Sequence, residues 1–215
     1  MKRLLLLLTA AVTLLHAEDK TPRDQFRKGV DLFFQAKIKE ALVEWDAQVA
    51  ADPAALPYHW QRGLALYYAE RYQDGRAQFE THQKVNSEDV ENAVWHYLCV
   101  AKLENPAAAR KAFIPITHDT RVPMKEIHAL FAGTGSVEKV LAAAEAGEAT
   151  TDGVRALHRC YAHLYCGLYE EAQGHADKAK THLLKAAGLA PADSYMGQVA
   201  VVHCKVRGWT APKKP

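Results

Sequence analysis

The sequence lacks the local signatures of catalysis and of metal binding. None of its 11 histidines is followed by another histidine four positions later, so no helix face carries the usual pair of imidazole ligands. It also contains no Cys-x-x-Cys, no nucleophile elbow, no phosphate-binding loop and no paired-carboxylate motif. These absences favour a non-catalytic protein without a metal or another cofactor.

The chain also has little net charge and only one long apolar run. It contains 27 Lys and Arg against 25 Asp and Glu, a formal net charge of +2. Without residues 1–17, which include Lys2 and Arg3 and no acidic residue, the two counts become equal. A neutral chain offers no electrostatic attraction to nucleic acid or to anionic lipid. No second apolar run approaches the about 20 residues that span a bilayer, so we expect no stable membrane insertion after residues 1–17 are removed.

Residues 1–17 have the organisation of a secretory signal peptide. Lys2 and Arg3 precede an apolar run over residues 4–15, and a polar segment starts at Glu18. The alternative is an uncleaved anchor, but an apolar run of this length is too short to cross a bilayer. The pattern predicts cleavage after Ala17 and export to the periplasm or the extracellular space.

Only four cysteines are present, and export would allow them to oxidise. Cys160 and Cys166 cannot pair if they share a helix, because six residues separate Cα atoms by about 9 Å. Cys166 and Cys204 form a possible disulfide if consecutive units place their helices side by side. The alternative is that all four are small buried side chains.

Small and aromatic residues recur at intervals of 34 positions. Such a period indicates stacked supersecondary units rather than one globular core, with small residues where helices approach closely and large residues that fill the space between one hairpin and the next. Unit by unit, the recurring residues are Gly29, Ala41, Trp45 and Pro53; Gly63, Gly75 and Phe79; Tyr97 in place of glycine, Ala109 and Phe113; and, outside this register, Gly167, Gly174, Ala179, Ala186 and Pro191.

The apolar spacing within each unit predicts two amphipathic helices, so the whole chain is predicted to be all-α. No Ser/Pro/Gly-rich linker divides the chain, which favours a single solenoid over residues 18–208. Residues 209–215 are predicted to form a disordered tail. The predicted units span about 22–55, 56–89, 90–122, a degenerate 123–150 and 154–191, followed by a capping helix over 192–207.

These repeat positions resemble those of the tetratricopeptide repeat (TPR) family. Cys166-Gly167, Gly174, Ala179 and Pro191 stand at the small, turn and stop positions of that consensus. The resemblance implies a right-handed superhelix of antiparallel helical hairpins whose concave face binds a peptide or protein. As a whole, the chain is similar to exported bacterial TPR proteins that act as scaffolds or adaptors of the cell envelope.

The first helices of the units line the concave face in this family. The residues expected there are Phe26, Phe34, Trp60, Tyr67, Tyr68 and Lys102, although several of these rings could instead pack between repeats. The functional hypothesis is a protein–protein interaction scaffold, present as a monomer or a weak homodimer.

Two alternative functions remain open. In the first, the protein is structural and stacks through its solenoid ends, because Val199, Ala200, Val201 and Val202 make the last helix apolar on more than one side. In the second, it handles a metal or thiols.

Overall fold

The computed structural model describes residues 21–210, and the helical prediction is confirmed there. The described residues form eleven α-helices and a 3₁₀ helix at Pro53–Tyr58, with no β-strand among them. The signal peptide predicted over residues 1–17 lies outside the described residues. The α-helices, in chain order, are α1 Pro22–Phe34, α2 Ile38–Ala51, α3 Trp60–Tyr68, α4 Tyr72–His82, α5 Val90–Leu103, α6 Pro106–Lys111, α7 Met124–Ala132, α8 Val137–Ala146, α9 Asp152–Ala172, α10 Ala176–Leu189 and α11 Tyr195–Val206.

Three helical pairs are joined by the same short turn. The pairs α1–α2, α3–α4 and α9–α10 each have three connecting residues, and the middle residue has a left-handed backbone. That residue is Ala36 (φ 61°), Glu70 (φ 62°) or Gly174 (φ 84°). The first two are 34 positions apart, so the repeat is present in the backbone geometry as well as in the residue types.

In each of these pairs, a large side chain of the second helix packs directly against a glycine of the first helix. A Cβ added to Gly63 would lie 2.6 Å from the Phe79 ring, and one added to Gly29 would be 2.6 Å from Cδ1 of Trp45. Gly167 meets Leu183 in the same way. In all three pairs the two residues are 16 positions apart. Trp45 and Phe79 are buried as predicted, but they fill space within their own hairpin rather than between one hairpin and the next.

The third pair, α5–α6, departs from this arrangement. Tyr97 stands at the glycine position, and its ring meets that of Phe113 edge-on, with 5.8 Å between ring centroids. Phe113 is consequently only half-buried, and α6 ends at Lys111 before reaching it. An irregular segment follows, and the short helices α7 and α8 lie in the region that the sequence predicts as a degenerate unit.

The last helix returns to the first. Besides packing on α10 and α9, α11 contacts α1. The Tyr195 ring lies 4.8 Å from the Phe34 ring, and the Lys205 ammonium donates to the Phe34 carbonyl at 3.1 Å. Trp209 follows α11 and packs its ring near His203, while its backbone N–H donates to Cys204, so the predicted disordered tail does not include this residue.

The four cysteines are free thiols and all are buried. The possible Cys166–Cys204 disulfide is therefore not formed in the structure. Burial raises the pKa of the Cys166 thiol to about 12 and that of Cys204 to about 11. Because the thiolate is the reactive form, both groups are poorly suited to oxidation in the folded chain.

Candidate ligand-binding cavity

The aromatic residues predicted for a concave groove do not share an open surface. Tyr67 is 2% exposed and Tyr68 8% exposed, so both belong to the core rather than to a groove. The Tyr68 hydroxyl lies 3.2 Å from Nδ1 of His203 on α11, which covers this side of α3. The return of α11 is the physical reason for Tyr68, because a helix from the far end of the chain covers it. Tyr67 is instead enclosed by the rings of Tyr72 and Trp95.

The other predicted groove residues are dispersed. Phe26 and Phe34 are half-buried, and the Phe26 ring packs 5.5 Å from that of His59. Lys102 is exposed in the last turn of α5. Among the six predicted residues, only Trp60 lines a cavity between the helices of the described part of the chain.

This cavity has a volume of about 690 Å³, within the range of small-ligand sites. It lies between α3, α4, α5, α9 and the start of α11, so residues far apart in sequence form its walls. One wall is largely apolar and aromatic. Its main contributors are Trp60, Leu64, Trp95, Leu157, Tyr161 and Tyr195.

A second wall is polar and carries a network around Arg121. The guanidinium donates from Nη1 to Glu91 Oε1 at 2.5 Å and from Nη2 to Asp89 Oδ1 at 2.7 Å. It also binds Asp119, with Nη2 and Oδ2 2.6 Å apart. Arg121 comes from the irregular segment before α7, whereas Asp89 caps the start of α5. One guanidinium therefore joins three carboxylates.

Glu91 on this wall has a strongly raised pKa. Burial raises the pKa of its carboxyl to about 7, an effect that Arg121 opposes and Asp89 reinforces. The Tyr165 hydroxyl donates to Glu91 Oε2 at 2.6 Å. Each carboxylate oxygen of Glu91 thus has one protein donor and retains a lone pair for another.

Three polar atoms of cavity-lining residues are buried without a hydrogen-bond partner. They are the Asn92 Oδ1 acceptor, the Trp95 Nε1–H donor and the Tyr195 hydroxyl. The Asn92 amide nitrogen already donates to Gln83 Oε1 at 2.7 Å and to the Phe79 carbonyl at 3.2 Å, which fixes the orientation of the amide. An unpaired buried polar atom costs about 1–3 kcal/mol of stability, and these three atoms are enclosed by protein rather than exposed to the cavity.

Two further features are absent over residues 21–210. No group of three or more His, Cys, Asp or Glu side chains is placed to hold a metal ion. His163 and His182 approach to 2.9 Å between Nδ1 atoms, but no third ligand joins them in this range. Within the same range, none of the helices combines the length and the apolar character needed to cross a membrane.

The sequence identified little of this cavity. Trp60 was predicted as a binding residue, but Glu91, Asn92, Trp95, Arg121 and Tyr161 were not. Asp89 and Glu91 immediately before an apolar helical run provided a signal for a charged helix start. Nothing in the spacing indicated that Arg121, 30 positions later, would bind both.

Comparison with known proteins adds no family to this description: no family model matches the chain, and no curated protein is significantly similar to it in sequence.

Proposed function

We propose that the chain is an exported, non-catalytic binding protein of the cell envelope, which holds a segment of a peptide or protein partner in the cavity beside Trp60. The proposal rests on one observation: a cavity of about 690 Å³ whose lining combines aromatic side chains with the charged network around Arg121. Such a combination is typical of ligand sites. The export signal predicted over residues 1–17 supports the compartment.

We also propose a TPR-like right-handed solenoid as the architecture. Three hairpins with the same turn geometry and the same 16-residue contact between a glycine and a large side chain support a repeated unit. The return of α11 onto α1 would make this solenoid a closed one. Binding in an internal cavity, rather than on an open concave face, follows from that closure.

The alternative of stacking through the last helix has less support. Val199, Ala200 and Val202 are fully buried within the chain, where α11 packs on α9, α10 and α1. Their apolar character is therefore explained by intramolecular packing, and a stacking surface would have to lie elsewhere.

The cavity is tested with the neutral apolar dye Nile red. We expect saturable emission enhancement at one dye per chain, and loss of that enhancement in Val154→Trp, which places an indole in the cavity wall. Val43→Trp is the matched control, because Val43 is 68% exposed on α2 and does not line the cavity. Equal enhancement in both variants, or none in the wild type, would contradict the proposal.

The partner is then sought in the exporting compartment. Affinity capture should recover the same protein with the wild type and with Val43→Trp but not with Val154→Trp, and Nile red should compete with it. A partner that is retained by Val154→Trp binds outside the cavity, and this result would also contradict the proposal.

A further inference from the structure

The cavity has a polar mouth and a largely apolar interior. Four of its lining residues are exposed, and none of them has a large apolar side chain: Arg121, Thr151, Gly153 and Asp193. By contrast, Leu64, Phe79 and Trp95 line the cavity and are buried. Exposed lining residues lie where a cavity meets solvent, so Arg121, whose side chain is 47% exposed, lies at the mouth.

Arg121 is the last residue of a short segment without regular secondary structure, residues 117–121, which we call the strap. None of its five residues is apolar, and four of them are exposed. The chain is fixed on both sides of the strap, because Ile116 donates its N–H to His128 Nε2 at 3.2 Å and Pro123 is buried. The strap is therefore an exposed polar connection between two anchored points.

Carboxylates attach the strap to the start of α5. Glu88 Oε2 accepts the backbone N–H groups of Thr117 and His118, each at 2.8 Å. In the opposite direction, Asp119 Oδ2 accepts the N–H of Val90 at 3.2 Å. The N–H groups of Thr117 and His118 lower the pKa of the Glu88 carboxyl, because they bind its ionised form.

The attachment of the strap is electrostatic throughout. Within residues 21–210, its hydrogen bonds to other segments reach only residues 88–91 and α7, which follows the strap directly, and each bond to residues 88–91 has a carboxylate acceptor. Such bonds at exposed positions are weak in water and weaken further with salt. Because no apolar side chain has to leave the core, the strap can detach from the start of α5 while the helices stay packed.

We infer that the strap is a gate at the mouth of the cavity and that the carboxylate bonds hold it closed. When these bonds break, the strap leaves the start of α5 and takes Arg121 away from the mouth, so that a ligand can pass. The inference rests on the proposed function, since it describes how the bound segment enters and leaves. A gate of this kind limits binding and release alike. Weakening its attachment therefore speeds both steps and leaves the dissociation constant unchanged.

The test measures the rates of Nile red binding and release by stopped-flow fluorescence. Glu88→Ala removes the acceptor of two N–H groups of the strap, at an exposed position that does not line the cavity. We expect both rate constants to rise about tenfold, with the same dissociation constant as the wild type. Glu145→Ala is the matched control, because Glu145 is an exposed carboxylate bound to Arg159 and does not line the cavity either. The control should leave both rates unchanged.

Hydrogen exchange of Val90 shows whether the strap opens as a unit. The N–H of Val90 is bound by Asp119, so Glu88→Ala does not remove its own acceptor. If the strap detaches as a whole, exchange at Val90 should nevertheless be about tenfold faster in this variant, while exchange at Leu98, in the middle of α5, should not change. Unchanged exchange at Val90 would overturn the inference.

The rates separate failure of the gate from failure of the proposed function. If Nile red binds and Glu88→Ala leaves both of its rates as in the wild type, the strap is not the entrance and only the gate is refuted. The gate is also refuted if Glu145→Ala accelerates both rates as much as Glu88→Ala does. If Nile red does not bind the wild type, the proposed function fails.

Discussion

In the second hairpin, α3–α4, and in the third, α5–α6, two residues 16 positions apart face each other, but the pairs pack differently. In α3–α4, Gly63 leaves room for Phe79, and the ring is buried between two full-length helices. In α5–α6, Tyr97 fills that room, Phe113 is only half-buried, and the second helix ends early. The irregular segment that follows carries Arg121 into the cavity wall. The departure from the repeat thus supplies the polar side of the candidate site.

The largest expected difference in stability is between alanine variants of Phe79 and of Phe113. Phe79→Ala should lower the free energy of unfolding by about 3–5 kcal/mol, because it removes a fully buried ring, and Trp45→Ala should behave alike. Phe113→Ala should cost only about 1–2 kcal/mol, because its ring is half-buried. Urea denaturation of the three variants measures the difference, and similar losses would remove the distinction between the hairpins.

Gly63 should be the position where a substitution has the next largest effect on stability. Gly63→Ala places a methyl group 2.6 Å from the Phe79 ring, and we expect a loss of about 1–3 kcal/mol from overpacking. Gly188→Ala is the matched control within α10, since nothing lies within 4 Å of the added Cβ. The control should be neutral or stabilising by up to about 1 kcal/mol. A double variant, Gly63→Ala with Phe79→Leu, should recover part of the loss.

Glu91, on the polar wall and in the third hairpin, should make the free energy of unfolding depend on pH. The pKa of Glu91 is raised from 4.5 to about 7 in the folded chain, mainly by burial. The folded state therefore binds more protons between these pH values, and this residue's contribution to stability falls as pH rises through that window. Glu91→Gln removes the effect.

The measurement is the difference in unfolding free energy between Glu91→Gln and the wild type, taken at pH 5 and at pH 8. We expect the difference to shift in favour of the variant by on the order of 2 kcal/mol. Buried histidines such as His59, whose pKa burial lowers to about 4, give the opposite slope in both proteins and cancel in the difference. A pH-independent difference would show that Arg121 compensates the buried carboxylate fully.

The smallest expected effect concerns the turns. Ala36 and Glu70 have left-handed backbones that cost non-glycine residues about 1 kcal/mol, so Ala36→Gly and Glu70→Gly should each stabilise the chain by about 0.5–1 kcal/mol. Glu104, at the corresponding position of the third hairpin, has φ −125°. Glu104→Gly should therefore destabilise by a similar amount. Melting temperatures of the three variants report the sign, and three changes of the same sign would contradict the contrast.

The sequence predicted what is local and periodic. Amphipathic spacing and the recurrence of Gly29 and Gly63 were sufficient for the helices and their pairing, because neighbouring helices determine these features. The groove prediction for Tyr67 and Tyr68 was wrong. Tyr68 is covered by α11, about 130 residues further along the chain, and Tyr67 packs against Tyr72 of α4 and Trp95 of α5. The cavity could not be predicted from the sequence for the same reason. Its walls come from helices that are not separated by a regular interval in the sequence, and Arg121 lies in a segment without a periodic apolar pattern.

The return of α11 to α1 has a consequence for how the chain acquires its structure. A linear repeat array can fold from one end, since each unit needs only its neighbour. Here Lys205 bonds to Phe34, 171 positions earlier, and Tyr195 covers the rings of Phe33 and Phe34. Contacts of such long sequence separation form slowly. The part of the Phe33 and Phe34 rings that Tyr195 covers stays in contact with water until the last helix has been synthesised, and the first and last helices should then gain protection from hydrogen exchange together.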